Sequence, residues 1–380
     1  MQNASPSHKV SWNQLRKKCK DNDLVFSPSK DFKSLVLHHL DVLKESPKQS
    51  LSPKQEQEVR KAFGSELGET LIHKRYTQNR NRELNKLQRN LTDNVIFKRL
   101  LLEAVQDPIK VSDYKPAISF KPKDNTVVVV LSDWHLGAKI DLTGNAYNKK
   151  IAEQRIATLF EASVKHIKEK QPNKVLIVNL GDLIENVQMR KNQAFSIELS
   201  LAQQIKFASE QQTNFVRHLA TAFPKIEFSF TELEGNHDRF APSKKDELPQ
   251  DGVSLIGRTF VQLGCKDLKN VKVFDPDNEY RYLADINGHK LLFVHGDRDK
   301  LADSNILGKL STFERQPLDA LIGGHLHSIQ IREQGNDQFV CQAGSLIGPS
   351  DYSESLGVTS SPSQLLIDVS KTISPQIILV

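Results

Sequence analysis

Cysteine is scarce in this chain. Cys19, Cys265 and Cys341 are the three among 380 residues, far apart and odd in number. That leaves neither a disulfide framework nor a Cys-based zinc site, and a reducing, cytoplasmic setting is the expectation. Long hydrophobic runs are missing too. No apolar stretch approaches the ~20 residues that span a bilayer. Residues 1–12 are polar and lack the apolar core of a signal peptide, so no membrane partner is expected. A Walker loop is also absent, because Gly257 and Gly264-Cys265-Lys266 do not have its spacing. What is left, 38% hydrophobic and 26% charged residues, is ordinary for a soluble globular protein. The length suffices for one large domain and a further module.

Charge is unevenly placed. Residues 1–110 hold 21 Lys and Arg against 13 Asp and Glu, whereas the remainder holds 31 against 33. The basic excess points to a polyanionic partner or to a solvated helical surface. Val10, Trp12 and Leu15 form one short apolar set, and Phe32, Leu35, Val36, Leu40 and Leu43 a second at helical spacing. Ser11 and Ser29 or Asp31 are placed to cap them, which suits a helix pair of the helix-turn-helix kind. A linker follows at Ser46–Lys54. Thr70–Val105 then reads as one long helix carrying Lys74, Arg75, Arg80, Arg82, Lys86 and Arg89. It suits a spacer, a partner-binding helix, a phosphate-contacting arm or a scaffold helix, and Asp107-Pro108 ends it. The expected organisation is a basic helical module at 1–110, a linker at 111–125 and a catalytic domain at 126–380.

Past residue 125, apolar runs end in chemically loaded turns. Thr126–Val130 is a continuous β-branched run, read as a buried strand, and it delivers Ser132-Asp133-Trp134-His135-Leu136-Gly137. Val175–Leu180 ends at Gly181-Asp182, and Glu227–Leu233 at Glu234-Gly235-Asn236-His237-Asp238. Lys290–Val294 ends at His295-Gly296-Asp297, and Leu318–Ile322 at Gly323-Gly324-His325-Leu326-His327. Any one such turn is commonplace. Five of them, each at a strand end where α/β folds place ligands, are hard to explain as core packing. Their mixed nitrogen and oxygen donors suit two divalent ions such as manganese, iron or zinc. A metal pair ~3.5–4 Å apart is the standard device for in-line displacement at phosphorus. Trp134 alternates to the opposite side of its extended segment, so it should pack or border the cleft.

In order, Asp133-x-His135, Gly181-Asp182, Gly235-Asn236-His237-Asp238, His295 and Gly324-His325-x-His327 resemble the calcineurin-like metallophosphoesterase superfamily over roughly residues 126–348. The resemblance implies an α/β fold: a two-sheet sandwich flanked by helices, the four-layer metallophosphoesterase fold, with the motifs on loops at one end. It implies that Asp133, His135, Asp182 and His327 bind a first metal, that Asp182 bridges, and that Asn236, His295 and His325 complete a second site. His237 corresponds to the family's non-ligating histidine, which stabilises the transition state or protonates the leaving oxygen, oriented by Asp238. The implied cofactors are two divalent ions, manganese first, with iron, zinc or magnesium as alternatives.

The superfamily hydrolyses phosphoproteins, nucleotides, cyclic nucleotides, lipids and DNA, so the fold does not choose a substrate. The wording of the Ser132–Gly137 and Gly235–Asp238 motifs is similar to that of DNA double-strand-break repair nucleases of the SbcD-like branch and of phage-encoded phosphoesterases. With the basic N-terminal segment, the expectation is a DNA exonuclease or endonuclease. The alternatives are a phosphatase or phosphodiesterase for a small phosphoester or phosphoprotein, and a non-catalytic scaffold subunit, against which the full ligand set argues. Those repair nucleases carry a DNA-capping domain after the core. Here only the strands Gln364–Val369 and Gln376–Val380 follow, so substrate selection is expected from the N-terminal segment or from an insertion at 183–225. Within that insertion, Leu201, Ile205, Ala208, Phe215 and Leu219 form a helical stripe that packs on the core or makes a dimer face. Arg190 and Lys191, shortly after Asp182, are candidate phosphate contacts. Tyr352, in the turn after Phe339–Gln342, is a base-stacking surface or a buried structural tyrosine. The polar loop Ala241–Asp251 is a further candidate border of the cleft. Expected partners are DNA, a recombination or repair protein, and a second copy in a homodimer.

Overall fold

The structure is a computed structural model. It describes residues 110–115, 117–187, 189, 193–241, 252–350, 353 and 360–380. The N-terminal helices, the 46–54 linker, the Thr70–Val105 helix, Arg190, Lys191, Tyr352 and most of the 241–251 loop lie outside the described residues. The chain divides into two compact units, Met1–Leu102 and Glu103–Val380. All described residues belong to the second.

In chain order the described strands are β1 (Lys123–Leu131), β2 (Ile140–Leu142), β3 (Asn145–Tyr147), β4 (Pro172–Asn179), β5 (Glu227–Glu232), β6 (Val271–Val273) and β7 (Arg281–Ile286). They continue with β8 (His289–Val294), β9 (Ala320–Gly323), β10 (Gln330–Gly335), β11 (Gln338–Gln342), β12 (Ser363–Val369) and β13 (Ile373–Leu379). The helices are α1 (Lys149–Lys170), α2 (Leu201–Ala222), α3 (Val253–Gly264) and α4 (Ile306–Glu314).

β1 shows why a continuous apolar run becomes a strand. Val127 through Leu131 are fully buried. Val127, Val129 and Leu131 enter one hydrophobic cluster, and Val128 and Val130 enter another. The alternation of a pleated strand thus sorts one apolar run between two cores. β1 pairs in parallel with β4, β4 with β5 and β5 with β6, while β12 pairs antiparallel on the other side of β1 and carries β13.

Parallel neighbours need crossover connections. α1, α2 and α3 supply them, covering the Val127 face of the sheet with Ile156, Leu159, Phe215, Leu219 and Val261. The helix expected within the 183–225 insertion is α2, which connects β4 to β5. A capping box between Ser200 and Gln203 starts that helix, and its Ile205, Ala208, Phe215 and Leu219 pack on the core as the stripe requires.

The Val128 face meets the second sheet, in the order β10-β11-β9-β8-β7. Leu291, Phe293, Ala320, Ile322 and Cys341 pack there against Leu176, Val178, Leu365 and Ile367. The outer face of this sheet is closed by Ile306, Leu307 and Leu310 of α4. The result is four layers, α1–α3, sheet, sheet and α4, the α/β sandwich expected. Among the described residues, no helix is long and apolar enough to cross a membrane.

Candidate metal centre

The five loaded turns converge at one end of the sandwich, each leaving a buried strand: β1, β4, β5, β8 and β9. Their backbone is unusual. Asp133, His135, Asp182, His325 and His327 all have left-handed φ, at 51°, 47°, 52°, 68° and 57°. Asp and His visit this region more readily than most side chains, yet such residues still cost about 1–3 kcal/mol each and persist only where surroundings over-determine them. Glycine is required where the loops touch. A Cβ on Gly181 (φ 103°) would strike the backbone nitrogen of Gly235, and one on Gly235 would strike the backbone nitrogen of Asp182.

The side chains form three groups that could each hold a metal ion, with candidate ligand atoms within 4.8 Å of one another: Asp133, His135, Asp182 and His327; then Asp182, His295 and His325; and His135, Glu185 and His237. Asp182 belongs to the first two. In the first group, His135 Nε2 lies 3.0 Å from His327 Nε2 and 3.6 Å from Asp182 Oδ2, and His327 Nε2 lies 3.3 Å from Asp133 Oδ1. In the second, His295 Nε2 lies 3.4 Å from Asp182 Oδ2 and 3.1 Å from Asn236 Oδ1. Six of the seven residues singled out as ligands are therefore brought together in these groups, and the seventh, Asn236, lies against His295.

The chemistry of the donors fits cations. His295 donates from Nδ1 to Leu180 O at 3.0 Å, which turns Nε2 toward Asp182 and Asn236. His135 Nδ1 bonds Glu185 Oε2 at 2.8 Å, which turns its Nε2 toward His327. Two imidazole nitrogens facing each other share at most one hydrogen, whereas a metal ion satisfies both lone pairs. A carboxylate behind a ligating imidazole is the usual support for such an ion. Burial opposes ionisation of Asp133 and Asp182. The surrounding imidazoles outweigh it, His135 and His327 at the first and His295 at the second, and hold both carboxyls well below the ordinary range. Burial likewise opposes charge on His135 and His295, but Asp133 and Glu185 at the one and Asp182 at the other lift both imidazoles to about 10. The carboxylates that raise His135 and His295 make a site of negative potential, which divalent ions would neutralise.

His237 joins neither of the groups that share Asp182; it falls in the third, with His135 and Glu185. Its ring crosses that of His135 edge-on at 4.6 Å between centroids. Burial pushes its imidazole below the ordinary value. Asp238 does not orient it, contrary to the expectation. The Asp238 carboxylate accepts from the backbone nitrogens of Asp182 at 2.6 Å, Gly235 at 2.9 Å and Leu183 at 3.0 Å, clasping the two loops together. Burial and the nearby Asp182 charge push that carboxyl up to about 7. His237 turns instead to Glu185, donating from Nδ1 to its carbonyl oxygen at 2.7 Å.

Glu185 is the residue of the candidate site that sequence reasoning missed. It joins His135 through its carboxylate and His237 through its backbone, and Gln193 Nε2 in turn donates to its carbonyl oxygen at 2.6 Å and its carboxylate at 3.0 Å. Its place three residues after Asp182 was the available signal. Trp134 does not ligate; it is fully buried and packs edge-on against Phe215.

A calcineurin-like phosphoesterase family model matches residues 126–329. The chain belongs to the calcineurin-like phosphoesterase family. No curated protein matches. Among solved structures, this phosphoesterase is similar to wild-type Vps29 complexed with zinc from Entamoeba histolytica, at 12% identity over 67% of this chain and 98% of that one, with a TM-score of 0.30. It is also similar to a dimetal phosphatase from Danio rerio, at 9% identity over 68% and 99% of the two chains, with a TM-score of 0.32. A metallophosphoesterase from Sphaerobacter thermophilus aligns at 11% identity over 67% and 89%, with a TM-score of 0.28.

Proposed function

We propose that this phosphoesterase is a two-metal phosphodiester hydrolase acting on DNA, with manganese as the metal. The observation that carries the reading is the position of Asp182 in two of the ligand groups. Two cations held close repel, and a carboxylate between them offsets that repulsion. Asp133, His135, Asp182 and His327 would hold one ion, and Asp182, Asn236, His295 and His325 the other. A metal pair in that place would supply Lewis-acid polarisation of the phosphoester and a more acidic water. His237, its Nδ1 committed to Glu185 O, keeps Nε2 for the leaving oxygen. The choice of DNA rests on the basic excess of residues 1–110, suited to a phosphate backbone, and on the likeness of the motifs to repair nucleases.

The purified chain with manganese is expected to cut single-stranded or duplex DNA. A protein inert on every DNA form that cleaves p-nitrophenyl phosphate esters would instead act on small phosphoesters. One that takes up both ions and is inert on both would be a scaffold. Deleting residues 1–108 is expected to weaken DNA binding and flatten its salt dependence; unchanged binding would remove that segment from DNA recognition.

A further inference from the structure

The loop that carries Asp133 is held by a side chain far from it in sequence. Gln364 of β12 is fully buried. Its Oε1 accepts from the backbone nitrogen of Ser132 at 2.9 Å and from the indole nitrogen of Trp134 at 3.2 Å. Its Nε2 donates to Ser132 O at 2.8 Å and to Gly344 O at 3.3 Å. One amide therefore pairs with both backbone groups of the residue before Asp133 and with the side chain of the residue after it. Tyr147 completes the grip by donating its hydroxyl to Trp134 O at 2.5 Å. The left-handed Asp133 lies between these fixed points and the left-handed His135 directly after them; such backbone persists only where its surroundings hold it.

We infer that Gln364 is a positioning residue for the first metal position. It holds the left-handed Asp133–His135 segment in the conformation that aims both side chains at a common point. This rests on the reading that those two residues ligate. No hydrogen bond ties Gln364 to Asn236, His295 or His325 among the described residues; the Asp133 carboxylate accepts from the backbone nitrogen of His325 at 3.0 Å, so the second position feels Gln364 only at one remove and should be affected less.

The test is manganese titration of the full chain by calorimetry. Gln364→Met keeps nearly the same volume and removes every polar contact. It is expected to weaken one of the two binding events about 10–100-fold, the range for residues that support metal ligands, with a profile like that of His327→Ala and unlike that of His325→Ala. Gln364→Glu keeps the acceptor for Ser132 and Trp134 but loses the donor, and should fall between wild type and Gln364→Met. In a Trp12→Phe background, Trp134 emission should move to shorter wavelength in Gln364→Met as the indole loses its acceptor. Equal weakening of both events, or no change in either, overturns the inference. If Gln364→Met fails to fold by circular dichroism, Gln364→Glu decides by the same outcomes. A wild-type protein that takes up no metal pair overturns the ligand reading itself, and the inference with it.

Discussion

The imidazole of His237 leans on the backbone of Glu185, with 2.7 Å from Nδ1 to the carbonyl oxygen. The carboxylate of the same glutamate reaches Nδ1 of His135 at 2.8 Å. One residue thus orients a candidate metal ligand with its side chain and a candidate proton donor with its main chain. The two functions separate by mutation. Glu185→Gln leaves the main chain in place and removes the charge behind His135. Metal affinity is expected to fall about 10–100-fold, with kcat at saturating metal much less affected. Calorimetry paired with kinetics at high manganese checks this.

His237→Ala should show the opposite split. Turnover is expected to fall about 10²–10⁴-fold, the contribution of a positioned acid or base. Metal content, measured by elemental analysis, should stay at the wild-type value. Loss of metal in this variant would show that His237 ligates.

Asp182→Asn should remove the shared carboxylate from both groups. Binding of the two ions should weaken together, and activity should vanish with them. Sequential loss, with one ion still held at wild-type affinity, would assign the bridge elsewhere.

Protonation gives a further handle. His135 and His295 sit at about 10 in the metal-free protein, and a ligating imidazole must shed its proton. Loading at pH 8 is therefore expected to release protons, seen as buffer-dependent heats in calorimetry, and affinity should rise with pH toward 10. The same raised values stabilise the metal-free fold. That contribution is complete below the unfolded value of roughly 6.5 and is lost as pH rises through about 10. The melting temperature of metal-free protein should accordingly decline between pH 7 and 10.

Asp238 predicts a structural effect. Its carboxylate serves three backbone amides, so Asp238→Ala leaves buried donors unpaired at about 1–3 kcal/mol each. A lowered melting temperature is expected, with metal binding impaired because the Gly181 and Gly235 loops part. An unchanged melting temperature would show that the clasp is dispensable.

The strands that deliver the site were legible because burial on both faces leaves a continuous apolar run, as in Val127–Leu131 and Val175–Val178. α1 was not, since its buried face mixes Ser163 and His166 with Ile156 and Leu159, which dilutes the stripe. β7 escaped for a related reason. It is the edge of the second sheet and only partly buried over Arg281–Leu283. The loaded turns that carry the candidate ligands could be read from the grammar of strand and turn. The partners of those ligands could not, because hydrogen bonds such as His237 to Glu185, or Gln364 to Ser132, depend on which way a side chain turns within a loop. Periodicity carries no signal for that.

β12 lies beside β1 in space and 232 positions from it along the chain, measured from Ser132 to Gln364. At ribosomal rates of about 5–20 residues per second, that gap is roughly 10–50 s of synthesis. The loop bearing Asp133 exists for all of that time without the strand that braces it. A growing chain thus carries every ligand through His327 well before the first of them is locked in place.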